Sequence, residues 1–187
     1  EERLINKNGK KLFPLLLLLD EPEVHQHPYR QRSLIKKIEE LMNNENQVFV
    51  DLLKELFDVD GVIGQIFIAT HSPNILLNDY KQFIRIFHPI GTSINEISIV
   101  SGSSITLDDT LYKHLLRSFL YLKEAMFSKC VLFVEGDTEN GAMPVFANRM
   151  NFDYDENGVG IVKLDGADSV ENCMKLYAEF KIKTIAI

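Results

Sequence analysis

Apolar residues form several short runs that end in acidic or small polar residues. One runs from Phe13 to Leu19 and is followed by Asp20-Glu21, and two more cover Gln65 to Thr70 and Cys130 to Val134. Continuous apolar runs of this length, closed by polar residues, are typical of strands buried on both faces of a parallel sheet. We therefore predict three central strands, each with polar residues at its carboxyl end.

Helical patterns separate these runs, and the first opens at Pro28, a residue favoured at the first position of a helix. The same periodicities predict further helices at Val48–Phe57, Leu107–Phe127, Thr138–Met150 and Ser169–Phe180, and strands at Phe83–Phe87, Ile94–Val100, Val159–Leu164 and Thr184–Ile187. Strands that alternate with helices predict an α/β fold with largely parallel sheets. We divide the chain into a first domain at 1–106, a linking helix at 107–128 and a second domain at 129–187.

The charge of the chain limits how it can meet nucleic acid. The 187 residues carry a formal net charge of -7, whereas proteins that bind DNA mainly by neutralising phosphates are usually basic. Either the chain does not touch nucleic acid, or metal ions bridge its acids to phosphates. Composition leaves both possibilities open.

Cysteine usage and hydropathy bear on the compartment. Cys130 and Cys173 show no CxxC spacing, which fits reduced, structural cysteines in a cytoplasmic protein. No apolar run approaches the roughly 20 residues of a membrane-spanning helix, so we expect no membrane association. The chain opens at Glu1 without methionine and stops in the apolar run from Lys183 to Ile187, and we therefore expect a part of a longer protein.

The first candidate site is the acidic pair Asp20-Glu21, which follows the first buried strand. Ligands of open parallel sheets bind at this edge. Asp20 can hold magnesium, and Glu21 can polarise a water for attack on a γ-phosphate. The structural alternative is a cluster of acids at a helix start. His25, His27 and His71 could chelate zinc, but no cysteine or fourth ligand is evident near them.

The segment LLLLLDEPEVHQHP, which contains Asp20 and Glu21, resembles the Walker B and D-loop stretch of ABC-type ATPases, in the branch that holds structural-maintenance and OLD-family proteins. The later segment FIATHSP resembles the H-loop of the same family. By this resemblance Asp20, Glu21 and His71 bind ATP and its magnesium, and Glu21 and His71 act in hydrolysis. The chain has no G-x-x-x-x-G-K-[ST] loop, so we expect the Walker A lysine upstream of Glu1.

The second candidate site is again a group of acidic residues at the end of an apolar strand, here the strand that starts at Cys130. Glu135 and Glu139 stand four residues apart, and they can share a cation if a helix begins just after Gly136. The alternative is a solvated helix start that carries acids favoured by the dipole. The motif VEGDTE resembles the opening of Toprim domains, with the spacing of the OLD variety. By this resemblance Glu135 and Glu139 are metal-binding and catalytic, and a D-x-D pair and a lysine follow beyond Ile187.

The motifs DEPEVHQHP, ATHSP and VEGDTE stand in the order of OLD-family proteins. The resemblance implies the C-terminal half of an ABC-type ATPase domain followed by the start of a Toprim domain, a Rossmann-like fold with a parallel sheet. It implies an ATP-regulated, metal-dependent DNA endonuclease of anti-phage defence that uses ATP and Mg²⁺ or Mn²⁺. The implied partners are DNA, a second copy or higher homo-oligomer bound through the ATPase heads, and a defence protein of unknown identity.

Two other functions stay open at this point. One is a non-nucleolytic ATPase scaffold with a degenerate Toprim region. The other is a repair ATPase similar to structural-maintenance proteins, in which the VEGDTE match is accidental and no second α/β domain exists.

Overall fold

A computed structural model describes residues 3–77, 79–89, 96–107, 122–164 and 167–187. The chain separates into two compact units, Glu1–Ile75 and Leu76–Ile187, each with its own sheet or sheets. Strands alternate with helices, and the α/β class is confirmed. Most of the predicted linking helix at 107–128 lies outside the described residues, so the predicted domain division stays a prediction.

The first unit is built on a three-stranded sheet in the order β1-β2-β3. Strand β1 (Ile5–Lys7) runs antiparallel to β2 (Lys10–Asp20), which runs parallel to β3 (Gly61–Ala69). Asn8 and Gly9 join β1 to β2 with positive φ angles of 52° and 75°, the conformation that a two-residue type I′ turn requires. The sequence analysis missed β1.

Two helices connect β2 to β3. Helix α1 spans Pro28–Met42 and helix α2 spans Gln47–Phe57, close to the predicted limits. In the loop between them, the side-chain amide of Asn44 donates to the carbonyl of Val62 at 2.9 Å and accepts from its amide at 2.7 Å. This pair of hydrogen bonds fixes the loop to the start of β3.

The prediction that β2 and β3 are buried on both faces is wrong. Leu16 and Leu18 are 61% and 67% exposed, and Phe67 of β3 is 45% exposed. The opposite face includes Leu15, which packs on the small core formed by Leu53, Val59 and Val62. Within residues 3–77, the apolar cluster that involves this sheet lies on the face of Leu15 and includes Leu53 of α2.

The second unit begins with a small antiparallel hairpin. Strand β4 (Ile84–Phe87) pairs with β5 (Ser98–Ser101), and short 3₁₀ turns at Tyr80–Gln82 and Gly102–Ser104 flank it. The predicted turn at Gly91 lies outside the described residues. Of the predicted helix at 107–127, residues 122–125 are helical and 108–121 are not described.

A three-stranded parallel sheet in the order β7-β6-β8 forms the rest of the unit. Its elements, all predicted within a few residues apart from the short helix α4, are β6 (Cys130–Val134), α3 (Asp137–Arg149), α4 (Tyr154–Asn157), β7 (Val159–Lys163), α5 (Ala167–Glu179) and β8 (Lys183–Ala186).

The central strand β6 is held by apolar packing. Phe133 is fully buried and its ring meets that of Tyr177 edge-on, with 5.3 Å between the centroids. The Tyr177 hydroxyl donates to the carbonyl of Leu122 at 2.5 Å, and burial raises the pKa of this phenol well above its usual value. These contacts hold β6 in the core of the unit, and they therefore fix the position of the residues that follow the strand.

Both cysteines are free thiols. Cys173 lies in the core of the second unit, and burial raises the pKa of its thiol to about 12. None of the helices in the described part of the chain has the length and apolar character needed to cross a membrane.

Gly102 offers a test of the second unit. A Cβ at this position would lie 1.9 Å from the carbonyl oxygen of Tyr80, so we expect Gly102→Ala to lower the free energy of unfolding by about 1–3 kcal/mol. Gly141 of α3 has no atom within 4 Å of its Cβ position, and Gly141→Ala should stabilise the helix by up to about 1 kcal/mol. Urea unfolding measures both changes, and equal effects would contradict the packing described for Gly102.

Candidate functional site

The carboxyl ends of β2 and β3 meet at one edge of the first sheet, because Asp20 pairs with Ala69 in the parallel register. The Glu21 amide donates to the carbonyl of Ala69 at 2.9 Å, and Glu21 has a left-handed φ of 43°. His71 Nε2 lies 3.6 Å from Glu21 Oε1. The structure thus places the predicted site residues Asp20, Glu21 and His71 at one edge, and their roles remain predictions.

These three side chains are open to a ligand. The side chains of His71 and Glu21 are 85% and 47% exposed, and Asp20 is also exposed. Carboxylate oxygens are the ligands that Mg²⁺ prefers, and this ion usually keeps waters or phosphate oxygens as its other ligands. Asp20 and Glu21 therefore fit a magnesium ion that is held partly by a nucleotide.

Zinc fits this edge less well. In the described part of the chain, no three His, Cys, Asp or Glu side chains are grouped closely enough to hold a metal ion by themselves. His27 caps helix α1, where its Nδ1 accepts from the Tyr29 amide at a long 3.5 Å. Among the described residues, the histidines of the HQH segment are not grouped with His71 in the way that a zinc site requires.

Glu23 is a residue of this site that the sequence analysis left without a role. Its side chain is buried, and Oε1 accepts hydrogen bonds from the Thr70 hydroxyl and from the His71 amide, the latter at 3.2 Å. Its other oxygen, Oε2, is buried and has no hydrogen-bond partner among the described residues. Glu23 thus connects the turn after β2 to the loop that carries His71. The only signal in the sequence was its place in the DEPE motif.

Helix α1 supports the same loop from a second side. The Ser72 hydroxyl donates to Gln31 Oε1 at 2.7 Å, and the Ser72 amide donates to Thr70 Oγ1 at 3.0 Å. Arg32 donates to the side-chain oxygen of Asn74 at 2.8 Å. The backbone around His71 is therefore held by side chains from the DEPE turn and from α1.

The second site lies at the carboxyl end of β6. Glu135 follows the strand directly and is exposed, and α3 begins two residues later, at Asp137. A Cβ on Gly136 would lie 2.8 Å from Glu139 Oε2. The Glu139 carboxylate therefore folds back over Gly136, toward the strand end that carries Glu135, and a side chain at 136 would displace it. Oxygen donors of this kind suit Mg²⁺ or Mn²⁺.

Lys163 brings a positive charge to the same edge of the sheet. It ends β7, where it pairs in register with Val134, and its Nζ lies 2.8 Å from Asp137 Oδ1. The sequence pattern included Lys163 in the predicted strand Val159–Leu164 but gave no role to Lys163 or Asp137. Their contact depends on the register of β6 and β7, which the sequence does not display.

Comparison with protein families gives two matches on different parts of the chain. Residues 1–76 match the model described as AAA ATPase domain, and residues 126–187 match the model described as Overcoming lysogenization defect protein-like, TOPRIM domain. No curated protein matches the chain. The ATPase match covers Asp20, Glu21 and His71 and implies nucleotide binding, and the Toprim match covers Glu135 and Glu139.

We expect Glu23→Ala to destabilise the first unit by about 1–3 kcal/mol, because it leaves the Thr70 hydroxyl and the His71 amide without their acceptor. Glu23→Gln retains an acceptor oxygen and removes a buried charge, so it should stay closer to the parent protein. The urea concentration at the midpoint of unfolding measures the stability of both variants.

Glu39 of α1 is exposed, and Glu39→Ala is the matched control, expected within about 0.5 kcal/mol of the parent protein. If Glu23→Ala behaved like Glu39→Ala, the bridging role of Glu23 would be rejected.

Proposed function

We propose that this chain acts as an ATP-regulated, metal-dependent DNA endonuclease in anti-phage defence, because its matches to an AAA ATPase domain and to an OLD-like Toprim domain stand in the order expected for the OLD family. The observation that carries the proposal is the position of Glu135 and Glu139. Glu135 directly follows the buried central strand, and Glu139 lies in the first turn of α3, within the segment that matches an OLD-like Toprim domain.

In this proposal Glu135 and Glu139 hold the metal ion. Bound Mg²⁺ or Mn²⁺ would supply the charge that activates water and stabilises the phosphodiester as it reacts. The turn at Gly136 has no side chain, which lets the Glu139 carboxylate approach the backbone. By resemblance to the family, further ligands come from a D-x-D pair and a later lysine.

In this proposal, ATP hydrolysis at the first site controls the nuclease. Asp20 would hold the magnesium of ATP, Glu21 would orient the attacking water, and His71 would contact the γ-phosphate. The contacts of Glu23 support the proposal, because they hold the His71 backbone beside the strand end that carries Glu21. ATP turnover between two copies joined through these domains would gate access to DNA.

We propose three further properties that were expected from the sequence. The domains divide at 1–106, 107–128 and 129–187, the protein is cytoplasmic, and it acts with a defence partner of unknown identity. The match of residues 126–187 to a Toprim model favours this reading over a repair ATPase without a second α/β domain.

A scaffold without nuclease activity is the competing function. It stays open because, of the proposed metal ligands, Glu135 and Glu139 lie among the described residues, whereas the D-x-D pair and the lysine are expected by resemblance to the family. A scaffold would retain nucleotide hydrolysis and would leave DNA intact with every divalent metal.

Nicking of supercoiled plasmid by the full-length protein in Mg²⁺ or Mn²⁺ tests the nuclease proposal. We expect Glu135→Gln and Glu139→Gln each to reduce the nicking rate about 100-fold or more, because a metal ligand is lost while the shape of the side chain is kept. Glu156 is an exposed carboxylate of the same unit, and Glu156→Gln is the control with equal change in charge. Nicking that survives both site substitutions would refute the assignment, and a parent protein that never nicks would favour the scaffold.

Phosphate release from ATP by the full-length protein tests the first site separately. Glu21→Gln should lower the hydrolysis rate about 100-fold while ATP still binds, because the amide cannot act as a base toward water. The exposed Glu39 provides the control Glu39→Gln. Hydrolysis at the parent rate in Glu21→Gln would remove this residue from the mechanism.

A further inference from the structure

The second unit contains a cavity of about 470 Å³ that no step of the proposed mechanism uses. The hairpin β4–β5 and the amino-terminal ends of β6 and β8 surround it. Its lining consists of Arg85, Phe87, His88, Pro89, Ser98, Lys129, Lys181 and Lys183.

Four of these residues carry positive charge and none carries negative charge. Among the residues that the structure describes, no carboxylate forms an ion pair with Arg85, Lys129, Lys181 or Lys183. In a chain with a net charge of -7, a group of cations that has no acidic partner among the described residues makes a local positive field. That field attracts an anion.

Arg85 is fixed in place rather than mobile. Its Nη1 donates to the carbonyls of Phe180 and Lys181 at 2.8 and 3.2 Å, and its guanidinium lies 4.3 Å from the centre of the Phe87 ring. Burial lowers the pKa of Arg85, but guanidinium groups stay charged in proteins. A half-buried charge that is bonded only to neutral groups favours binding of an anion, since a charge removed from water is costly when it is unpaired.

The three lysines add exposed charges on flexible stems to this fixed charge. Lys183 begins β8 and pairs in register with Cys130, the residue after Lys129. The aliphatic stem of Lys129 lies against Gly158, where a Cβ would be 3.2 Å from its Cγ and Cδ. The two ammonium groups are thus carried by adjacent strand starts.

The cavity lies at the opposite edge of the sheet from the acidic site. Lys129 precedes β6 and Glu135 follows it, and a strand of this length spans roughly 17 Å at about 3.3 Å per residue. The cations therefore do not share a ligand atom with Glu135 or Glu139. A ligand that reaches both edges must be an extended one.

We propose that this cavity, with Arg85, Lys129, Lys181 and Lys183, binds the phosphate backbone of nucleic acid at a distance from the cleavage site. The proposal rests on the proposed nuclease function, whose substrate it helps to hold. Charges contributed by several separate elements match a chain of phosphates, which one strand of duplex DNA carries about every 3.4 Å of helix axis, better than a single small anion.

Binding of a fluorescent DNA duplex in EDTA, followed by anisotropy over a range of salt concentrations, tests the proposal without cleavage. The double variant Lys129→Ala/Lys183→Ala should bind about 10-fold more weakly or worse. Its slope of log affinity against log salt should be smaller by about 2, one for each lost phosphate contact. Both lysines are exposed, so the variant should fold normally.

The control is Lys36→Ala/Lys175→Ala, which removes two exposed lysines that each pair with a glutamate on their own helix. If both double variants lost affinity equally, the effect would be one of total charge and the proposal would be overturned. Lysine-dependent binding of inorganic pyrophosphate, with DNA binding unchanged, would also overturn it in favour of a small-anion site. Because the assay needs no metal and no cleavage, a protein that binds DNA here but never nicks it would refute the proposed nuclease function alone.

Discussion

Parallel strand pairing determines where both acidic sites form. In the first sheet, the pairing of Asp20 with Ala69 brings the residues that follow β2 and β3 to one edge. In the second sheet, the pairing of Val134 with Lys163 places Glu135 beside the end of β7. A slip by one residue would turn every side chain of a strand to the other face, so the chemistry at each edge depends on register rather than on any single contact.

The direction of the second sheet also separates two kinds of charge. Glu135, Asp137 and Glu139 lie where its strands end, where Lys163 is paired with Asp137. Lys129 and Lys183 lie where its strands begin. Metal ions suit the first edge and phosphates suit the second. A net charge of -7 is therefore compatible with nucleic-acid binding, because the sum hides two opposite local fields.

The sequence predicted most helices and strands because periodicity is a local property. It missed β1, which is only three residues long, although the Asn8-Gly9 pair is a recognised hairpin signal. It placed β2 in a doubly buried position, because an apolar run does not reveal what covers it. The bridge from Glu23 to His71 and the gathering of Arg85 with Lys183 depend on long-range packing, which no local pattern records.

The two sites rest on different physical supports. The first unit has a small apolar core, and polar contacts such as those of Glu23 and Asn44 define its loops. Asp58 also forms ion pairs with Lys11 and Lys54 in this unit. Hydrogen bonds from these lysines lower the pKa of Asp58 to about 2. Because the pKa of Asp58 is depressed, its ion pairs stabilise the fold when the pH lies above the ordinary aspartate pKa. This stabilisation is lost as the pH falls toward 2. The second site stands on a strand held by buried aromatic and aliphatic side chains, so directional polar bonds set the geometry of the first site and apolar packing sets that of the second.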